Sequence, residues 1–149
     1  MFSSPKPSTF QWLLHAFEQF DIDANVRTIV SRRNGASLTG LLHASTPLRL
    51  RQTDAWPIAP DEGYPTLKRP VPEKRWHFTA ESERTDRIRI ASIFSATGPG
   101  ESALGLHVSV AGDRVAFDYQ GATGYIDLSP DSSEVLRANC GAEQVAIDA

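Results

Sequence analysis

At 149 residues the chain is long enough for one domain with a single core, which buries about two thirds of the unfolded surface. Fifteen Lys and Arg stand against eighteen Asp and Glu, and this mild balance argues against general nucleic-acid binding, which uses a strongly basic patch. The single cysteine, Cys140, excludes an intrachain disulfide, and no apolar run approaches the roughly 18 residues of a membrane helix.

The first eight residues, MFSSPKPS, read as a flexible segment with neither a basic n-region nor an apolar h-region, so no export signal is visible. From Thr9 to Phe17 the chain is extended: Phe10, Trp12, Leu14 and Ala16 share one face, and Gln11, Leu13, His15 and Phe17 the other. Both faces are largely apolar, which predicts a strand inside a sandwich, with His15 as a hydrogen-bonded core histidine. The β-branched run Val26–Arg33 closes on Asn34-Gly35, the strongest short-range hairpin signal, so Ala36–Ser45 folds back antiparallel. Leu48-Arg49-Leu50-Arg51 alternates, leucines inward and arginines outward.

Residues 54–74 break this pattern. Pro57, Pro60, Pro65, Pro70 and Pro72, with Gly63, predict a long irregular loop, far beyond the usual connection of about four to six residues. It holds or adjoins Trp56, Tyr64, Lys68, Arg69, Lys74 and Arg75. Strand signals resume at Arg75–Ala80, with Trp76 and Phe78 on one face and Arg75, His77 and Thr79 on the other. They continue at Arg87–Phe94, where Arg87 and Arg89 alternate with the core. Leu104, Leu106, Val108 and Val110 share a face, Gly112-Asp113 turns, and Val115, Phe117 and Tyr119 return. Tyr125–Leu128 adds a strand, Ser129-Pro130-Asp131 reads as the cap of a short helix through Ala138, and Gln144–Ile147 as an edge strand. The expectation is all-β: one antiparallel β-sandwich domain over 1–149, with about nine or ten strands and one long Pro-rich loop.

The phrases PSTFQWLLHAF (7–17), LRLRQTDAW (48–56), PDEGYP (60–65) and KRWHFTA (74–80) resemble the C-terminal β-rich domain of heparinase II/III-like polysaccharide lyases. In that family a helical toroid precedes the β-domain, and the toroid supplies part of the catalytic tyrosine and histidine set. The resemblance implies an upstream toroid partner, an acidic polysaccharide ligand and a secreted or periplasmic location. The Gly-His-Ala-Asp-like and Ala-His-Asn-Thr phrases that hold the family's β-domain histidines do not occur here, so no catalytic or metal residue carries over.

The residues themselves point to binding rather than catalysis. His15, His43, His77 and His107 fall in four separate predicted strands, with no His or Cys at metal-ligand spacing, so no cofactor is expected. His43, His77 and His107 read as outer-face positions. No nucleophile elbow or phosphate-cradling glycine loop occurs, and Asp21, Asp23 and Asn25 read as turn chemistry. Sugar recognition stacks aromatic rings on pyranose faces, and arginine grips carboxylates or sulfates bidentately. Trp56 and Tyr64, with Arg49, Arg51, Lys68, Arg69, Arg75, His77 and Arg89, provide both kinds of group. The competing reading leaves the loop structural, with Trp56 tucking it onto the sheet and the arginines keeping one face wet. The expected function is therefore a non-catalytic carbohydrate-binding domain without nucleic-acid or membrane partners. The alternatives are a domain that only buttresses a toroid, and a lyase fragment drawing on Tyr64, His77 and Arg75.

Overall fold

The computed structural model describes residues 2–25, 27–55, 74–101, 105–140 and 143–148. Val26, Leu104 and all of the Pro-rich loop except Asp54, Ala55 and Lys74 lie outside the described residues. Within them the chain is all-β, with fourteen strands, antiparallel pairing throughout and no helix.

Three main sheets stack in layers. A three-stranded sheet has the order β2 (Gln11–Ala16), β7 (Trp76–Ser82), β6 (Leu48–Thr53). A four-stranded sheet of β3 (Asp21–Asp23), β4 (Thr28–Arg33), β5 (Ala36–Ala44) and β9 (Ile90–Thr97) lies in the middle. On its far side is a five-stranded meander of β10 (Leu106–Ala111), β11 (Arg114–Tyr119), β12 (Ala122–Asp127), β13 (Glu134–Cys140) and β14 (Glu143–Asp148). A small ribbon pairs β1 (Phe2–Ser8) with β8 (Thr85–Ile88).

The period-2 alternation of β5 and β9 explains the stacking, because each strand presents apolar side chains on both faces. Leu42 and Ile29 join Phe20, Phe78 and Ala80 in a core against the three-stranded sheet, while Leu41, Ile93 and Ala91 turn the other way, onto Val115 and Leu128. In the first core Trp12 stacks on Phe94 at 5.9 Å and meets Phe78 edge-on at 6.0 Å. Gly40 pairs with Phe94 across β5 and β9, and a Cβ there would overlap the Phe94 ring. The glycine thus makes room for the ring that stacks on Trp12.

The hairpins form where the turn residues allow them. Asn34 and Gly35 both take positive φ (51° and 80°), the type I′ pattern whose twist suits a two-residue β-turn, and join β4 to β5. Gly112 at φ 60° turns β10 into β11, and Gln120-Gly121 does the same between β11 and β12. The side chain of Gln52 ties two layers, its amide N donating to the Phe20 carbonyl at 2.9 Å and its oxygen accepting from the Phe20 N–H at 3.0 Å.

Several expectations need correction. The expected count of nine or ten strands missed the short and polar ones. Residues 2–8 are strand β1 rather than a flexible segment; the prolines at 5 and 7 lack a donor N–H, and they sit where the register with β8 is irregular. The expected helix from Ser129 to Ala138 is a turn followed by β13. Arg89 donates to the carbonyls of Ser129, Pro130 and Ser132, groups a helix would satisfy internally, and Tyr125 and Ala146 claim Arg137 as a sheet neighbour.

Candidate functional site: the outer face and loop root of the three-stranded sheet

Only one face of β2 is covered. Trp12, Leu14 and Ala16 pack on the core, while Leu13 is 55% exposed and His15 is exposed beside it. His15 is therefore not a core histidine: among the described residues the three-stranded sheet is the outermost layer, and no further strand lies on it.

The registers of β2, β7 and β6 place the outward residues in three rows: Gln11–Glu81–Arg49, Leu13–Thr79–Arg51 and His15–His77–Thr53. Neighbouring members of a row are about 4.8 Å apart, so the face is a continuous platform, polar except for the exposed Leu13. Glu81 accepts from Gln11 and, at 3.3 Å, from Arg51. Arg49 faces a shallow groove of about 490 Å³ that also holds Glu81, Glu83 and Arg84, so charge at this end is balanced. The rings of His15 and His77 meet at 4.5 Å between centroids.

The opposite end, where the Pro-rich loop is rooted, differs. Asp54 and Lys74 approach to 3.4 Å across the loop's base, an exposed pair that contributes little by itself. Phe17 lies there with two guanidiniums over its ring, Arg33 at 3.3 Å and Arg75 at 4.5 Å from the centroid. Both arginines are exposed, and among the described residues neither forms an ion pair with a carboxylate. Cation–π attraction orients such groups without neutralising them. Two like charges are thus held together over one ring at this end of the sheet.

Of the residues singled out in the sequence, Arg49, Arg51 and His77 share this platform, and Arg75 stands at its end. Trp56, Tyr64, Lys68 and Arg69 lie outside the described residues. Arg89 does not belong to the site. It is 5% exposed, at the junction of β8 and β9, and its two terminal guanidinium nitrogens donate to backbone carbonyls, with Ser129 O at 2.6 Å and Ser132 O at 3.1 Å, while its buried Nε has no partner among the described residues. Of the three histidines read as outer-face positions, His77 is on the platform and His107 is exposed on β10, but His43 is buried between the middle and five-stranded sheets. Sequence reading missed Arg33 and Phe17 as site members. Arg33 closes the β4–β5 hairpin on another sheet, and no local pattern pairs it with a phenylalanine sixteen positions earlier.

A second polar network covers the outer face of the five-stranded sheet. Tyr125 donates its hydroxyl to Glu134, Arg137 grips the same carboxylate at 2.6 Å, and Arg114 pairs with Asp127 at 3.2 Å while lying over the Tyr125 ring. The Tyr125 hydroxyl and Arg137 hold the Glu134 carboxyl below the usual carboxylate range, and donation to Glu134 raises the Tyr125 phenol. The Ser129 backbone N–H, followed by Arg114, lowers Asp127. Within this network each of the four charged groups, Arg114, Asp127, Glu134 and Arg137, has a partner of opposite sign, as in a structural ladder. Asp23, at the end of β3, forms turn chemistry as expected, accepting from the Asn25 N–H at 2.9 Å, whereas Asp21 is a strand residue whose carboxylate pairs with Arg32; no metal-binding cluster occurs among the described residues.

No known protein-family model matches the chain, and no curated protein matches its sequence.

Proposed function

We propose that the chain is a non-catalytic carbohydrate-binding domain of the heparinase II/III-like type, which takes acidic polysaccharide across the outer face of the three-stranded sheet. The observation that carries this reading is the pair of exposed guanidiniums over Phe17, without a carboxylate partner among the described residues, at the end of a polar β-platform. Arg33 and Arg75 contact carboxylate or sulfate groups, Arg51 and Arg49 extend the track along β6, and the aromatic residues Trp56 and Tyr64 of the adjoining loop stack on sugar rings. His77 lines the track beside His15. A secreted or periplasmic setting agrees with such a ligand.

The test is an affinity screen over alginate, heparin, chondroitin, pectin and neutral β-glucans at two salt concentrations. Retention on acidic glycans that weakens with salt is expected, because exposed charges are screened over about 10 Å at 0.1 M salt. Absence of retention on every acidic glycan overturns the reading.

One observation favours a second reading, a domain that buttresses a catalytic toroid. The inward row Ile126–Leu136–Ile147 runs past the cover of the middle sheet, leaving Ile147 55% and Val145 49% exposed on edge strand β14. Exposed apolar edges of this kind mark contact surfaces. Soluble behaviour of the isolated chain as a monomer, with no binding of a hydrophobic dye, counts against this alternative.

A further inference from the structure

A separate cleft opens between the middle sheet and the β10–β11 hairpin. It encloses about 560 Å³ and is walled by Arg27, Thr28, Leu41, His43 and Val108, with Gly112 at its rim. A side cleft of about 290 Å³ continues from it past the shared Thr28, Leu41 and Val108. Packed sheets ordinarily leave few voids larger than a water molecule, whereas small-molecule sites occupy roughly 300–1,000 Å³.

Three features of the wall point to a ligand. His43 is 7% exposed, and its Nε2 lies 2.9 Å from the Gly112 carbonyl oxygen, which only accepts. Nε2 therefore carries the proton, and Nδ1 offers its lone pair to the Arg27 guanidinium, which donates to it. The buried imidazole thus holds the guanidinium in place while using one of its five donors. Secondly, Arg27 is half-buried and forms no ion pair with a carboxylate among the described residues, an arrangement that leaves a cation without its counter-charge beside apolar walls. Thirdly, the Arg27 backbone has φ 55°, the left-handed region that a long side chain adopts only when its surroundings hold it there. The Leu42 N–H donates to its carbonyl at 3.2 Å and helps to maintain that conformation.

We propose that this cleft binds a small carboxylate, gripped by the Arg27 guanidinium, with the body of the molecule against Leu41 and Val108 and its polar groups toward Thr28. A carboxylate fits better than a phosphate dianion, because the planar fork matches its two oxygens and one cation in a half-apolar cleft does not compensate the desolvation of two charges. His43 is a positioning residue, acting through Arg27. The site uses none of the loop-root residues and does not rest on the glycan reading.

The test is titration of the ¹⁵N-labelled full chain with isobutyrate and with D-glucuronate, using methyl glucoside and sodium chloride as controls. The expected result is saturable movement of the Gly112 amide, the Arg27 Nε–H and the His43 Nδ1 resonances with at least one carboxylate and with neither control. Preference for isobutyrate identifies a free organic acid, and preference for glucuronate a sugar acid; both support the site. Arg27→Asn, which tolerates the left-handed backbone, is expected to weaken binding by about tenfold or more while the spectrum stays folded. Should that variant not fold, Arg27→Lys retains the charge without the fork and is expected to bind several-fold more weakly. No saturable shift with either carboxylate, or unchanged affinity in a folded variant, overturns the proposal.

Discussion

The face of the middle sheet that meets the three-stranded sheet is filled with aromatic rings, whereas its opposite face meets the five-stranded sheet through small aliphatic side chains and two clefts. Phe20, Phe78, Trp12 and Phe94 interlock on the first side, and Phe78 has no exposed surface. On the second side the buried cluster among the described residues is Ala91, Val115 and Leu128, with Leu41, Ile93, Val108 and Ile126 half-buried against it. The difference separates two tasks of one sheet. The aromatic side concentrates stability beneath the outer platform where the arginines stand. The aliphatic side leaves room for a cleft, its layers tied by the His43–Gly112 and Arg89–Ser129 hydrogen bonds.

The largest expected effect breaks this comparison most directly. Phe78→Ala removes a fully buried ring and should cost about 4 kcal/mol, whereas Val115→Ala should cost about 2 kcal/mol, both read from denaturant unfolding. Equal costs would mean that the aliphatic interface is packed more tightly, for its size, than the aromatic one.

Next in size is the contrast between arginines. Arg89→Met removes a buried guanidinium and strands three carbonyls, and is expected to cost about 3 kcal/mol. Arg49→Met, on the exposed platform, should change stability by less than about 0.5 kcal/mol. A large loss at Arg49 would give it a structural role and remove it from the binding track.

The smallest effect is the dependence on pH, and it sharpens the view of the five-stranded sheet as a matched ladder. Asp127 and Glu134 are held below their ordinary values of 3.8 and 4.5 by hydrogen bonds made in the folded chain. Their contribution is thus present above the unfolded values and disappears as pH falls through the lowered folded ones. Glu134→Gln should flatten the acid limb of a stability–pH profile. The Tyr125 phenol is raised above 10.0, so its contribution is present below that value and is lost as alkaline pH passes the folded one.

Much of the fold was legible because it is written locally. Asn34-Gly35 and Gly112-Asp113 are turn chemistry within a few residues, and Leu48–Arg51 shows which side of β6 is buried. What failed depends on distant contacts. Ser129–Ala138 has a helix-start signature, but Arg89, forty positions earlier, claims its carbonyls. Arg89 itself follows the alternation of a surface strand, and only the break between β8 and β9 turns it inward. Strand β1 is polar and carries two prolines, so no periodicity announces it. Of the candidate site, the arginine alternation on β6 and the position of Arg75 were visible in the sequence; Arg33 over Phe17 and the buried Arg27–His43 pair arise only when separate strands come together.

The most direct test of the account compares affinity electrophoresis of the wild-type chain and the Arg33→Ala/Arg75→Ala double variant in gels containing alginate, heparin or dextran, at low and high salt. The account predicts that an acidic glycan retards the wild type at low salt, that the double variant loses most of this retardation, and that dextran retards neither. Equal retardation of the two proteins in the acidic gels would contradict it and move the glycan away from the loop root.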